Sequence, residues 1–234
     1  MSSGPVFIGF DSRSPRAYEV AARSLLLASG MNITPVPIID ADARRRLLYW
    51  RPSETDAEGR LIDSLSGAPM STEFAITRFL VPFLTRERWA LFVDQDVIFL
   101  RDVRELFALA DPRYAVMCVK HEMPDTGAEK MHGQLQTRYP RKNWSSVTLW
   151  NLDHPAHRRL TLSMVNQYPG ELLHRFFWLR DSEIGSLPAA WNWLVNVQDR
   201  PADVGVAHFT LGGPWIESWE AQPNDDIWLD AATD

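Results

Sequence analysis

Ala90-Leu91-Phe92-Val93-Asp94-Gln95-Asp96-Val97-Ile98-Phe99-Leu100 is the most apolar run of the chain, interrupted by two carboxylates one residue apart. Residues 90–93 are short, hydrophobic and bounded by charge, which predicts a buried strand, and the apolar character resumes at Val97. Two neighbouring acids cannot both stay ionised beside a core unless something compensates them. A hard divalent cation such as Mg²⁺ or Mn²⁺ compensates directly and keeps open positions for phosphate oxygens. In open α/β sheets ligands bind beyond the carboxyl ends of the strands. The stretch therefore suggests a metal site at a strand end that holds a diphosphate. Asp-x-Asp is a short pattern, however, and aspartates also close strands for local hydrogen-bonding reasons, so the surrounding sequence must decide.

The chain has 234 residues, which is one domain with enough material for a sizeable core. A net charge of −6 argues against a nucleic-acid binder. The single cysteine, Cys118, lies in the apolar run 115–119 and reads as a buried small hydrophobe. Residues 1–7 lack the pattern of a signal peptide, and no apolar run approaches the ~20 residues that span a bilayer. The expectation is a cytoplasmic protein whose membrane contact, if any, is peripheral. Ten tryptophans is a high count for this length. Most such residues belong to cores, although their faces also stack on sugars.

Outward from the central stretch, strands and helices alternate, which predicts α/β architecture with a largely parallel sheet. Residues 6–10 read as a first strand ending in Asp11-Ser12, followed by a helix that starts at Ser14-Pro15 and stops at Gly30. Asp11 and Ser12 thereby stand where a nucleotide base or ribose can be bound, or where a polar turn is needed. Residues 33–39 carry Pro35 and Pro37 and suit an edge strand. Residues 40–69 are poorly patterned, with 53–59 reading as loop and Arg44-Arg45-Arg46 as a solvated helix face. A helix is expected from Ser71 to Pro82, which would kink or end it, with Arg78 on or beside its packed face. A buried Arg78 requires an anion, and Asp94, Asp96 or a phosphate could serve.

Asp102 with Glu105 resembles a capping box, and 115–119 is a further strand. Residues 122–143 are long, polar and basic, as in a lid over a phosphate site or an ordinary surface loop. A strand at 145–151 and a helix at 155–167 follow, with His154 and His157 read as surface or capping residues. A second acidic cluster is Asp181-Ser182-Glu183. A last short strand delivers His208 ahead of the glycine turn 209–215, and 216–234 reads as a loosely packed tail.

Taken in this order, the pieces resemble the nucleotide-sugar glycosyltransferases of the GT-A fold. The resemblance is strongest to the family 8 retaining transferases, the group of glycogenin and the bacterial lipopolysaccharide galactosyltransferases. It covers residues 7–215 and implies one domain over residues 1–215, with a C-terminal tail, 216–234, packed on it. The resemblance implies a single α/β domain with a Rossmann-like, mostly parallel sheet covered on both faces. It implies Mn²⁺ (or Mg²⁺) held by Asp94, Asp96 and His208, a UDP-sugar donor, and a bacterial hexosyltransferase. Phe10, Asp11, Ser12, Gln95, Gly212 and Gly213 would contact the donor. Arg78 would lie near the donor sugar and the acidic triplet, and Asp181 and Glu183 match the acids that approach the reacting carbon. The acceptor would be a glycan, a lipid-linked sugar or a small molecule. The chain also departs from the family pattern. Gly213 stands in place of the phosphate-binding lysine, Ser182 and Glu183 replace Gln and Asp, and Trp144 and Ser146 stand where Asn and Gly are common. Two other classes remain open on the residues alone, a nucleotidyltransferase and a nucleotide-sugar binder without catalysis.

Overall fold

The computed structural model describes residues 3–31, 33–122, 141 and 143–233. β1 (Val6–Gly9) feeds α1 (Pro15–Ala28), whose proline occupies the first turn, where its missing N–H is not needed. β2 (Pro35–Ile38) is an edge strand, as its two prolines require. α2 (Asp40–Arg45) then carries the arginine run, with Arg44 bonded to Asp40 and Arg45 to Asp42 on the helix itself. The poorly patterned segment that follows folds as a small antiparallel sheet of β3 (Ser53–Thr55), β4 (Leu61–Asp63) and β5 (Ala68–Pro69), where the sequence suggested loop. Next come α3 (Phe74–Thr77), a 3₁₀ turn over Arg78–Leu80, and α4 (Val81–Leu84). Pro82 does not end this helical run. It falls in the first turn of α4, after the chain has already tightened to 3₁₀ geometry.

β6 (Trp89–Val93) and β7 (Val97–Phe99) flank the acidic triplet, and α5 (Val103–Ala108) follows. Asp102 caps α5 by accepting from the Arg104 N–H, while Glu105 pairs with Arg101 instead of closing a capping box. β8 (Val116–Cys118) and β9 (Val147–Asn151) are succeeded by a 3₁₀ turn at Pro155–Arg159, α6 (Leu162–Gln167) and α7 (Gly170–His174). The single helix expected at 155–167 is thus two elements, because the Thr161 side chain caps the Met164 N–H and restarts the chain. His154 caps the first of them, whereas His157 is buried with Nε2 3.0 Å from the Ala115 carbonyl oxygen. Burial drives the His157 imidazole down to about 4. β10 (Ile184–Ser186), β11 (Trp193–Leu194) and β12 (Val206–His208) lead to α8 (Asp225–Ala232), which buries Ile227 and Trp228.

The central sheet has the order β10-β8-β9-β6-β1-β2. β9 runs antiparallel to both its neighbours, and the other strands share one direction. β6 lies inside it and is buried along its whole length. Its side chains alternate between two cores: Ala90 and Phe92 face one, and Trp89, Leu91 and Val93 the other. A strand buried on both faces reads as a continuous apolar run, which is why residues 90–93 show no polar alternation. A second sheet, β11-β12-β7, sits beside the first and shares the chain at Asp94–Asp96.

The small β3-β4-β5 sheet is tied down by polar groups that have no signature in the sequence. Arg51 is 1% exposed and donates twice to Asp63, at 2.7 and 2.6 Å, and once to the Tyr168 carbonyl at 2.8 Å. Burial pushes the Asp63 carboxyl up, but the bonds from Arg51 and Ser66 outweigh it and hold the group below the usual carboxylate range. Asp63→Ala leaves a buried guanidinium without its counter-ion and is expected to lower unfolding stability by about 3–5 kcal/mol, measured in urea. In the native protein this contribution is fully present above about pH 4, the ordinary carboxylate value. It should disappear as the pH falls through the lower folded value, and the variant should lack that acid limb of the stability curve.

Candidate metal centre and its anchors

Three strand ends meet at one point. Asp94 leaves the carboxyl end of β6, Asp96 enters β7, and His208 closes β12. The antiparallel register sets His208 opposite Val97, and the Phe209 N–H donates to the Asp96 carbonyl at 2.9 Å. One ligand atom from each of Asp94, Asp96 and His208 can be chosen so that all lie within 4.8 Å of one another. His208 Nε2 is 3.3 Å from Asp96 Oδ1, and its Nδ1 is 2.9 Å from Asn192 Oδ1.

Arg78 is 6% exposed, so the arginine expected on or beside the packed face is buried and needs an anion. Its Nη1 lies 2.7 Å from Asp94 Oδ1 and donates to the Ser145 carbonyl at 3.1 Å. The group stacks over the rings of Phe74 and Phe92, 5.3 and 5.1 Å from their centroids. Burial is the strongest influence on the Asp94 carboxyl and Asp96 adds to it, while Arg78 and His208 oppose them. The net result is a carboxyl pushed up to about 6. Arg78 alone therefore leaves Asp94 undercompensated, and the site has room in its electrostatics for further positive charge.

Gln95, the middle residue of the triplet, is buried and accepts from the Asp11 N–H at 2.8 Å. It links the acidic turn to the end of β1. Asp11 is buried and its carboxylate accepts from the Arg13 N–H, from the Arg13 guanidinium and from the Glu73 N–H. Ser12 donates to Glu73 through both its N–H and its hydroxyl, and Phe10 packs edge-on against Tyr18. The polar turn after β1 is thus a fixed structure whose side chains are largely engaged by the protein. Gly212 has a φ of 116°, a conformation that needs glycine, and a Cβ on Gly213 would stand 2.2 Å from the Trp215 ring.

Glu183 is not brought to this point. Glu183 precedes β10, whose Ile184 pairs with Val116, the first residue of β8. Asp94 follows the last residue of β6, at the opposite edge of the sheet. Asp181 is ion-paired with Arg141 and its side chain is 89% exposed. Glu183 is held by Arg159 and by the Arg180 N–H. The basic residues expected over the site at 123–140, and Lys142, lie outside the described residues. The sequence reading missed Asn192 and Ser146 as neighbours of the centre. Asn192 carries a signal in retrospect, as a lone amide inside the apolar stretch 188–194.

No helix among the described residues is long and apolar enough to cross a membrane. No protein-family profile matches the chain. Protein CDI of Arabidopsis thaliana is 41% identical over 230 residues, covering 96% of this chain and 84% of that protein. This relative is a plant protein, so the bacterial setting suggested by the sequence finds no support in it. Among solved structures, the glycosyltransferase GlyE of Streptococcus pneumoniae TIGR4 superposes with a TM-score of 0.60 at 14% identity, over 99% of this chain and 60% of that one. The galactosyltransferase LgtC, solved with donor and acceptor sugar analogues, superposes with a TM-score of 0.57 at 15% identity, over 98% of this chain and 95% of LgtC. Mouse xyloside xylosyltransferase 1 gives a TM-score of 0.55 at 11% identity over 89% of this chain. At these identities the superpositions establish a shared architecture, and it is the plant relative that establishes kinship: the chain belongs to the protein CDI family and is built on the GT-A glycosyltransferase fold.

Proposed function

We propose that this chain is a metal-dependent glycosyltransferase that moves a sugar from a UDP-sugar to an acceptor hydroxyl. The observation that carries the reading is the convergence of Asp94, Asp96 and His208 at the carboxyl edge of the sheet. Their chemistry fits Mn²⁺ or Mg²⁺. Two carboxylates and an imidazole are a suitable donor set. The 3.3 Å between His208 Nε2 and Asp96 Oδ1 is close to the spacing of adjacent ligands on a six-coordinate ion, about 3 Å for metal–ligand distances of ~2.1 Å. When bound, the cation would neutralise the charge that develops on a departing diphosphate.

The chain's own part in the reaction is to hold and orient. Arg78, locked between Asp94 and the Ser145 carbonyl, fixes the first carboxylate and supplies the nearest positive charge to the donor sugar. Gln95 ties the acidic turn to the Phe10-Asp11-Ser12 turn, which would present the nucleotide-binding edge. The turn at Gly212 and Gly213, which follows His208 in the chain, would lend backbone N–H groups to the diphosphate, with Gly212 at a φ of 116° and Gly213 packed against the Trp215 ring. Glu183 is engaged by Arg159 at the far edge, which leaves Asp181 as the candidate carboxylate; retention, which the family 8 resemblance implies, would proceed through it or by attack on the leaving-group face. The acceptor is a sugar, a lipid-linked sugar or a small molecule with a free hydroxyl.

The test is a panel of UDP-, GDP- and CDP-sugars with Mn²⁺ or EDTA, reading released nucleoside diphosphate. Release of UDP from one donor, abolished by EDTA, is expected. UDP binding in calorimetry without release would instead favour a binder that has lost catalysis, and neither binding nor release would overturn the reading. Nucleotidyl transfer would show itself by release of pyrophosphate from a nucleoside triphosphate.

Asp96→Ala is expected to lower UDP release by on the order of 10²–10³, as for loss of one group that stabilises transition-state charge. Titration of the purified variants should show Mn²⁺ binding weakened in Asp96→Ala and in His208→Ala alike. Unchanged Mn²⁺ affinity in both would remove the ligand assignment.

A further inference from the structure

His208 is the one ligand of the proposed centre whose tautomer decides which of its atoms can coordinate. A neutral imidazole carries one N–H and one lone pair, and only the lone-pair nitrogen can ligate. The surroundings of His208 fix which is which. The Asn143 carbonyl can only accept, so the Ser146 hydroxyl donates to it, at 2.7 Å. With its proton committed, Ser146 Oγ accepts from Asn192 Nδ2, at 3.0 Å. The amide must then turn Oδ1 toward His208 Nδ1, at 2.9 Å. Oδ1 can only accept, so Nδ1 carries the hydrogen and Nε2, which faces Asp96, carries the lone pair. Each step follows from the one before, beginning at a main-chain carbonyl whose role cannot invert.

We propose that Asn192 is a positioning residue that selects the Nδ1–H tautomer of His208 and so prepares Nε2 as a cation ligand, with Ser146 setting the direction of the Asn192 amide. The inference rests on the metal reading given above. It has support from burial: Asn192 is 0% exposed and Ser146 and His208 are 2% exposed, so water does not compete for these bonds. Ser146 also binds the centre a second way, because its carbonyl accepts from the Asp94 N–H at 2.9 Å. Its main chain holds one ligand and its side chain, through Asn192, orients another. A serine here, at a position where glycine is common in the family the sequence resembles, thereby has a specific use. Partners of this kind on the second nitrogen of a ligating histidine fix its orientation and raise its basicity, and their loss typically weakens metal binding 10–100-fold.

The first measurement needs no variant. Long-range ¹H–¹⁵N correlation spectra of the metal-free full chain at about pH 8, above the ordinary imidazole range, report the His208 tautomer. Nδ1–H is expected, and Nε2–H would overturn the proposal. The second measurement is Mn²⁺ affinity by electron paramagnetic resonance, without donor or turnover. Asn192→Ala should weaken Mn²⁺ on the order of 10–100-fold and mix the tautomers. Asn192→Asp keeps an acceptor toward Nδ1 and should restore the Nδ1–H tautomer. An Asn192→Ala protein with native-like affinity and an unchanged tautomer would overturn the proposal, as would an Asn192→Asp protein whose tautomers are as mixed as in the alanine variant. Wild-type protein that shows the Nδ1–H tautomer but binds no Mn²⁺ would sustain the relay and sink the metal reading, so the two failures are distinguishable.

Discussion

The structure turns on a single electrostatic constraint, two carboxylates held one residue apart at the end of a strand that is buried on both faces. Burial and mutual repulsion both oppose ionisation of Asp94, and one guanidinium, Arg78, does not fully offset them. Such an arrangement is tolerated where it serves a ligand, because packing alone would favour an apolar residue there. The chain surrounds this point with fixed contacts. Phe74 and Phe92 both contact the Arg78 guanidinium, Gln95 fastens the turn to β1, and β12 is pinned across β7 so that His208 arrives on the third side.

The sheet topology explains why this can be done with so few residues. β6 and β1 are parallel neighbours and release their loops at the same edge, so Asp11 and Asp94 emerge side by side. β9 runs the other way between β8 and β6, and its first residues therefore also lie at that edge. This brings Ser145 and Ser146 to the centre, where one carbonyl receives Arg78 and the other receives the Asp94 N–H. A fully parallel sheet would place the start of that strand at the far side. The reversal of one strand is thus what couples the two sheets through Ser146, Asn192 and His208.

The departures from the family pattern acquire physical meaning in this frame. Gly213 is packed under Trp215, so a side chain at that position would have to displace the ring. The loss of the usual lysine is therefore accompanied by a repacked turn rather than a simple truncation. Ser182 and Glu183 lie in a short 3₁₀ turn stapled by Arg159 and the Arg180 N–H, which serves to start β10. Glu183 thereby contributes to local structure in this segment.

Local sequence determined the elements whose causes are local. The apolar run at 90–93, the prolines of β2, the Ser14-Pro15 helix start and the Asp102 cap each follow from side-chain burial, missing N–H groups or capping oxygens within a few residues. The need of Arg78 for an anion was legible too, because charge in an apolar helix face must be answered somewhere. Only the tertiary structure decided which partner answered it. It also decided that Gln95 serves Asp11, that Arg51 meets Asp63 in a sheet with no strand signal, that Asn192 faces His208, and that Glu183 stands away from the centre. The reason is physical. Hydrogen bonds and ion pairs between distant residues depend on strand register and direction, and a shift of one residue in register reverses every side chain without changing the local pattern that a sequence displays.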